Sequence, residues 1–180
     1  GNNDLPFCRP DLHIVRADPL RPGDEAGYHP GEANVRMADL VIINKCDVAS
    51  EDAIAQVEAS VRGLNPDATV IRCDSPVTVE DPELVRGKRA LVIEDGPTLT
   101  HGSMSFGAGV VGAKAAGVAE IVDPSPYAVA SLAATYAKYP NARGILPAMG
   151  YGDAQIRDLE ATIDAADADV VVSGTPIDLT

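Results

Sequence analysis

Short apolar runs alternate with helical patterns along most of this chain. Regular alternation of this kind is typical of βα units that build a parallel sheet, and nearly continuous apolar strands are typical of sheets buried on both faces. The predicted strands are 12–17, 39–44, 68–72, 89–94, 119–122, 143–147 and 169–173. The predicted helices are 31–37, 50–64, 107–117, 126–138 and 153–166. The predicted fold class is therefore α/β, with three layers and a mostly parallel sheet.

The segment 74–88, DSPVTVEDPELVRGK, interrupts this alternation. It is rich in proline and charge and has little periodicity, which is typical of a linker. We therefore expect two units, residues 1–78 and residues 79–180, the second being a Rossmann-like α/β unit that binds substrate or phosphate.

Charge and cysteine usage narrow the class of protein. The chain has 180 residues, with 14 basic and 27 acidic residues and a net charge of −13, which argues against a nucleic-acid surface or an anionic membrane as partner. Its three cysteines are widely spaced, which predicts neither a disulfide framework nor a zinc site and favours a cytoplasmic setting. No apolar run approaches the roughly 20 residues that span a bilayer.

The stretch DLVIINKCDVAS, residues 39–50, holds the strongest functional signal. An apolar strand leads into Asn44, Lys45 and Asp47, which match the NKxD signature of guanine recognition. The Asp carboxylate accepts hydrogen bonds from the guanine N1–H and the N2 amino group, the Lys stem covers the base plane, and Asn ties the loop to its neighbours. Ser75 follows the next strand, where such proteins place a second base loop. The alternative is an ordinary polar turn capped by Asp47.

Several long stretches resemble the cyclic 2,3-diphosphoglycerate synthetases and the predicted P-loop GTPases grouped with them. They are GNNDLPF, DPLRPGDEAGYHPGEANVRMADLVIINKCD, GKRALVIEDGPTLTHGSMSFGAG, EIVDPSPYAVASL, LPAMGYG and DLEATIDAADADVVVSGTPIDL. No GxxxxGK[ST] phosphate loop occurs in the sequence. The resemblance implies a P-loop upstream of Gly1, so that residues 1–78 are expected to be the C-terminal half of a P-loop NTPase domain.

The resemblance also implies an activity, the ATP-driven closure of an intramolecular phosphoanhydride in 2,3-diphosphoglycerate. We therefore expect ATP or GTP as co-substrate, Mg²⁺, and a small phosphorylated metabolite as ligand, with a homodimer as the candidate assembly. The alternative from a different class is a regulatory or metallochaperone-like GTPase that switches a partner interaction.

The glycine-rich stretch EDGPTLTHGSMSFGAG, residues 94–109, follows a predicted strand and leads into a helix. Ligands of open α/β sheets bind beyond the carboxyl ends of strands, and a helix N-terminus suits anions. We expect substrate or phosphate binding by Gly96, Thr98, Thr100 and Gly102. His101 is the candidate for supplying a catalytic charge or proton. Asp95 is the candidate ligand of Mg²⁺. The alternative is a structural turn that packs the helix on the sheet.

Two other segments carry polar residues at strand ends. The loop 18–39 is long for a compact domain, and its Arg21 and His29 are candidates for contacting phosphoryl oxygens in catalysis. The segment VDPSPY places Asp123 and Tyr127 after a strand, and Tyr127 is a candidate substrate contact. The alternative is that Arg21 and His29 are solvated basic side chains and that Tyr127 is a half-buried aromatic residue.

Overall fold

In the computed structural model of this chain, the residues described are 5–96, 105–149 and 152–175. They form two compact units, residues 1–76 and residues 77–180. The sequence pattern placed the division two residues later, at 78/79. The α/β class and the parallel strands are confirmed.

Unit 1 is a parallel sheet with helices in its crossover connections. The sheet has three strands in the order β1-β2-β3. The strands are β1 (Ile14–Ala17), β2 (Leu40–Ile43) and β3 (Thr69–Arg72). The helices are α1 (Asp24–Gly27), α2 (Gly31–Met37) and α3 (Glu51–Leu64).

Only one face of the unit 1 sheet is buried. Val41 and Ile43 are fully buried on that face, against Ile54 and other apolar residues of α2 and α3. The side chains of the opposite face are more exposed, at 49% for Ile14 and 40% for Ile71. The expected burial on both faces is therefore wrong for this unit, because within the described part of the chain the helices pack against one side.

Unit 2 is built around a long central strand. Its strands are β4 (Arg89–Asp95), β5 (Glu120–Ile121), β6 (Leu146–Ala148) and β7 (Val170–Gly174). Its α-helices are α4 (Pro82–Val85), α5 (Ala108–Ala116), α6 (Ala130–Lys138) and α7 (Asp153–Ala165), with 3₁₀ turns at Ser125–Tyr127 and Pro140–Ala142. None of the helices in the described ranges of either unit is long and apolar enough to cross a membrane.

Three parallel strands pair with β4. Strand β7 pairs with it from Ala90 to Glu94, while β5 pairs near its amino end and β6 near its carboxyl end. Because a strand has two edges, β5 and β6 share the edge opposite β7. Residues 90–94 are all buried, as the continuous apolar run predicted for a strand covered on both faces.

Two predicted boundaries differ from the structure for local reasons. The expected linker 74–88 contains α4, which begins with Pro82 at its first position and the Asp81 carboxylate accepting from the Glu83 N–H. The expected helix 126–138 begins only at Ala130, because the residues before it form the 3₁₀ turn that ends at Tyr127.

Asn65 joins the ends of two helices in unit 1. Its side chain is buried, and its Nδ2 donates to the carbonyls of Val35 and Ala38, each at 2.9 Å, while its Oδ1 accepts from the Ala68 N–H at 3.1 Å. These carbonyls lie at the end of α2, where few intrahelical donors are left, and the Val35 carbonyl also accepts from the Ala38 N–H at 3.3 Å. One amide therefore satisfies the end of α2 and fixes the chain entering β3.

We predict that Asn65→Ala destabilises unit 1 by about 3 kcal/mol, because the Ala38 carbonyl and the Ala68 N–H each lose a buried hydrogen bond. The matched control is Ser50→Ala, which removes one hydrogen bond at the start of α3 and should cost about 1 kcal/mol. Thermal melting followed by circular dichroism compares the two variants. Equal shifts in melting temperature would contradict the role given to Asn65.

Candidate functional site

The NKCD loop is attached to both neighbouring strands. Strand β2 ends at Ile43, and the Asn44 N–H then donates to the Ala17 carbonyl at the end of β1, at 3.0 Å. The Cys46 N–H donates to the Cys73 carbonyl after β3, also at 3.0 Å. The loop therefore has backbone hydrogen bonds on either side, which hold it at the carboxyl edge of the sheet.

Asp47 and Ser75, the candidate base contacts of two successive loops, lie together. The Ser75 N–H donates to Asp47 Oδ1 at 2.9 Å. Asp47 is exposed, so its carboxylate is held in one orientation while it remains open to a ligand. A carboxylate oxygen has two lone pairs, and Asp47 can therefore accept further hydrogen bonds from a bound base.

Lys45 adopts a backbone conformation that is rare for its residue type. Its φ is +63°, in the left-handed region that costs a non-glycine residue roughly 1 kcal/mol or more. Its Nζ donates to Asp18 Oδ2 at 2.7 Å. The carbonyl of Lys45 also accepts from the N–H groups of Val48 and Ala49. The neighbouring contacts therefore stabilise a strained residue at the centre of the motif.

Asp18 was not among the residues predicted from sequence. Besides Lys45, it binds the Leu20 N–H through Oδ1 at 3.0 Å, and Arg21 lies 3.6 Å from its Oδ2. The signal available in the sequence was its position directly after the predicted strand 12–17, at the same sheet edge as Asn44. Asp18 links the long loop after β1 to the candidate base site.

The two catalytic candidates in unit 1 have different surroundings. Arg21 lies between two carboxylates, 3.6 Å from Asp18 and 3.7 Å from Asp24, so its charge is already balanced. His29 is exposed, and its imidazole makes no hydrogen bond or ion pair with the described residues. The structure does not bring His29 to Asp47, and the catalytic role of both residues stays a prediction.

Glu94 is the buried charged group of unit 2 that the sequence reading missed. Its side chain is 2% exposed, and it accepts hydrogen bonds from the N–H of Gly107 at 3.0 Å and of Val110 at 2.8 Å. Burial raises the pKa of Glu94, although the N–H groups of Val110, Gly109 and Gly107 act in the opposite direction. The carboxylate of Glu94 therefore occupies the amino end of α5, where the sequence suggested an open anion site.

Glycines surround the Glu94 carboxylate because no side chain fits there. A Cβ on Gly174 would lie 2.5 Å from the Gly109 nitrogen and 2.9 Å from Glu94 Oε2. A Cβ on Gly109 would lie 3.2 Å from Glu94 Oε1. The close approach of β7, α5 and β4 thus explains these two glycines by packing, which was the structural alternative for this stretch.

The predicted ligand contacts of unit 2 are only partly described. Gly96 is buried, and a Cβ there would lie 2.5 Å from the Ala148 carbonyl oxygen, so close packing with the end of β6 accounts for it. Tyr127 is half-buried at the end of a 3₁₀ turn. The others lie outside the described residues: Thr98, Thr100, His101 and Gly102. The roles proposed for them, catalysis for His101 and ligand binding for the other three, stay predictions.

The described residues offer limited means of holding a metal. Asp95 is half-exposed at the end of β4, and no group of three or more His, Cys, Asp or Glu side chains in the described ranges could enclose an ion. Mg²⁺ commonly uses one or two protein carboxylates and takes its remaining ligands from water and substrate phosphates. A single Asp95 fits that pattern as a partial ligand only.

Comparison with known proteins bears on the NKCD loop directly. Residues 21–72 match the family model described as CobW/HypB/UreG, nucleotide-binding domain. Residues 21–72 of unit 1 are therefore similar to a nucleotide-binding domain. The matched residues include Asn44, Lys45 and Asp47, and this match supports the nucleotide reading of the loop over the ordinary polar turn.

A curated relative matches almost the whole chain. The protein named arginine synthetase ArcE, from Thermococcus kodakarensis, is 62% identical over 179 residues, which cover 99% of this chain and 40% of that protein. The chain thus spans well under half of the relative's length. The predicted similarity to nucleotide-binding proteins agrees with these matches, whereas neither of them names cyclic 2,3-diphosphoglycerate.

We predict that Glu94→Gln flattens the dependence of stability on pH. The raised pKa means that the stability contributed by protonated Glu94 is complete below its unfolded value of 4.5 and is lost as pH rises through the folded pKa. Glutamine stays neutral, so the variant should gain stability relative to the wild type as pH rises.

Melting temperatures measured from pH 4.5 upward test this expectation, with Glu83→Gln as the control because Glu83 is an exposed glutamate of α4. If the wild type and Glu94→Gln gave parallel curves, the buried carboxylate would not be the source of the pH dependence.

Proposed function

We propose that this chain is part of a nucleotide-dependent synthetase whose unit 1 binds the base of the nucleotide. The observation that carries the proposal is the exposed Asp47 carboxylate held by the Ser75 N–H at 2.9 Å, within a segment that matches a nucleotide-binding family. The name of the relative, a synthetase, supports the enzyme class.

Guanine is the base that this loop fits best. An oriented carboxylate can accept hydrogen bonds from the N1–H and the N2 amino group of guanine, whereas adenine presents neither of these donors. We therefore propose GTP as the preferred co-substrate and ATP as the alternative. Mg²⁺ would accompany the nucleotide phosphates, and Asp95 of unit 2 is a separate candidate ligand for Mg²⁺.

Arginine is the product that we propose first. The support is the 62% identity to a protein named arginine synthetase over nearly the whole of this chain. A guanidinium group can be made from a ureido group when the ureido oxygen leaves, and transfer of a phosphoryl group to that oxygen turns it into a leaving group. Ammonia then forms the new C–N bond and inorganic phosphate departs.

Cyclic 2,3-diphosphoglycerate is the second candidate product, supported by the long stretches of sequence that resemble its synthetases. In that reaction one phosphate of the substrate attacks the other after activation by the nucleotide. Both reactions depend on positioning and on neutralising charge at a transferred phosphoryl group. We also propose a cytoplasmic location, with which the free thiols of Cys8, Cys46 and Cys73 are consistent.

We predict that the full-length protein forms arginine when it is incubated with GTP or ATP, Mg²⁺, citrulline and ammonia, and that nucleotide hydrolysis rises when citrulline is added. Amino-acid analysis and phosphate release measure the two results. Parallel reactions with 2,3-diphosphoglycerate, followed by phosphorus NMR, test the second candidate. Nucleotide turnover that neither substrate changes would contradict both and favour a regulatory or metallochaperone-like GTPase.

We also predict that Asp47→Asn in the full-length protein lowers its preference for GTP and raises its preference for xanthosine triphosphate. The asparagine amide can donate to the C2 carbonyl of xanthine, where the aspartate accepts from the guanine amino group. A competition assay with the nucleotides measures the change. Asp52→Asn, at an exposed position in the first turn of α3, is the control, and unchanged selectivity in Asp47→Asn would rule out its contact with the base.

A further inference from the structure

A cavity of about 320 Å³ lies in unit 2. Its walls are formed by residues that follow β5, by α6 and by Arg143, which precedes β6. The lining residues are Ser125, Pro126, Ala133, Tyr136, Ala137 and Arg143. Its volume is at the lower end of the range typical of small-molecule sites.

The cavity lies where β5 and β6 meet along one edge of β4. Asp123 follows β5, and its Oδ1 accepts from the Ser125 N–H at 2.9 Å and from the Gly144 N–H at 3.1 Å, shortly before β6 begins. One carboxylate therefore joins the chain leaving β5 to the chain entering β6. It also places its own charge next to two cavity residues, Ser125 and Arg143.

A basic residue, Arg143, lines the cavity, and an acidic residue, Asp123, lies next to two of its lining residues. Arg143 is exposed and makes no hydrogen bond or ion pair with the described residues. Desolvation alone would raise the pKa of Asp123, but the N–H and hydroxyl of Ser125, the Gly144 N–H and the nearby charge of Arg143 together lower it. Asp123 is therefore a carboxylate at neutral pH, close to a guanidinium with which it forms no ion pair.

The inner wall is apolar and its one buried hydroxyl is already engaged. Tyr136 is 3% exposed, and its hydroxyl donates to the Ile145 carbonyl at 2.7 Å. Ala133 and Ala137 present small methyl groups on the same helix face. This wall suits a short aliphatic chain, while polar recognition falls to Arg143, Asp123 and Ser125.

We propose that this cavity binds the head group of an α-amino acid, with the carboxylate of the ligand on the Arg143 guanidinium and its ammonium on the Asp123 carboxylate. A guanidinium binds a carboxylate through two parallel hydrogen bonds. The Asp123 charge would repel a ligand that carries several phosphates, so the pair of charges favours a zwitterion. The choice of amino acids as ligand class rests on the proposed arginine-forming function.

The test is a calorimetric titration of the full-length protein, without nucleotide, with arginine and citrulline. Two analogues divide the head group: agmatine lacks the carboxylate of arginine, and 5-guanidinopentanoate lacks its amino group. We expect Arg143→Gln to weaken arginine binding at least about tenfold, the effect of losing a charge-assisted hydrogen-bond pair. The same variant should leave agmatine binding unchanged.

The matched control is Arg157→Gln, which removes an arginine of α7 that does not line the cavity. It should bind arginine as the wild type does. Asp123→Asn should weaken arginine binding and leave 5-guanidinopentanoate binding unchanged. The thermal melt of each variant is measured as well, because Asp123 also joins β5 to β6. If Asp123→Asn does not fold, Arg143→Gln still decides the question, since it removes no hydrogen bond within the described chain.

Arginine binding that Arg143→Gln does not alter would overturn the proposal. So would binding of inorganic phosphate that depends on Arg143 and competes with arginine, since the cavity would then be an anion site. Failure of the proposed function is a separate result. If the protein makes no arginine yet binds it through Arg143, the proposed site stands. If the protein makes arginine and the Arg143→Gln variant has the same KM for citrulline as the wild type, the site is refuted.

Discussion

The candidate base site depends on the hydrogen bonds that hold the loop after β2 between its two neighbours. The Asn44 N–H reaches the end of β1, and the Cys46 N–H reaches the chain after β3. Between these two anchors Lys45 takes a positive φ, which an isolated turn of the same sequence would not keep. The parallel sheet therefore supplies the constraint, since it brings three strand ends to one edge and lets each loop fix the next.

This constraint explains how much of unit 1 the sequence could predict. The pattern of apolar strands identified all three strands, and the motif identified Asn44, Lys45 and Asp47, because both signals are local in the chain. The hydrogen bond between Asp47 and Ser75 was not itself predicted, although the sequence placed the two residues in loops that follow successive predicted strands. Asp18 was missed because its role depends on Lys45, which lies 27 positions away and carries no mark of that contact.

In each unit, the burial of strand residues was predicted incompletely from the sequence, for related reasons. In unit 1 the apolar strands suggested two covered faces, but residues such as Ile14 face solvent in the described chain. In unit 2 the strand β4 is covered on both faces, so alternation could not tell Glu94 from Asp95. The more buried of these two acids stabilises the start of α5, and the glycines near it are required by packing. A glycine-rich stretch after a strand is therefore consistent with phosphate binding and with a buried carboxylate alike.

The ion pairs of the basic groups distinguish an anion-binding site from a purely structural one better than the presence of glycines does. On a chain of net charge −13, half of the 14 basic groups form ion pairs with the described residues, among them Lys45 with Asp18, Arg21 with Asp18 and Asp24, and Arg72 with Glu51 and Glu58. An anionic ligand at any of these groups must displace a carboxylate, which offsets much of the gain from the new contact. Arg143 forms no ion pair with the described residues, and among the basic groups of which this is true it is the one that lines the cavity. A carboxylate ligand of that cavity would therefore have no carboxylate paired with Arg143 to displace.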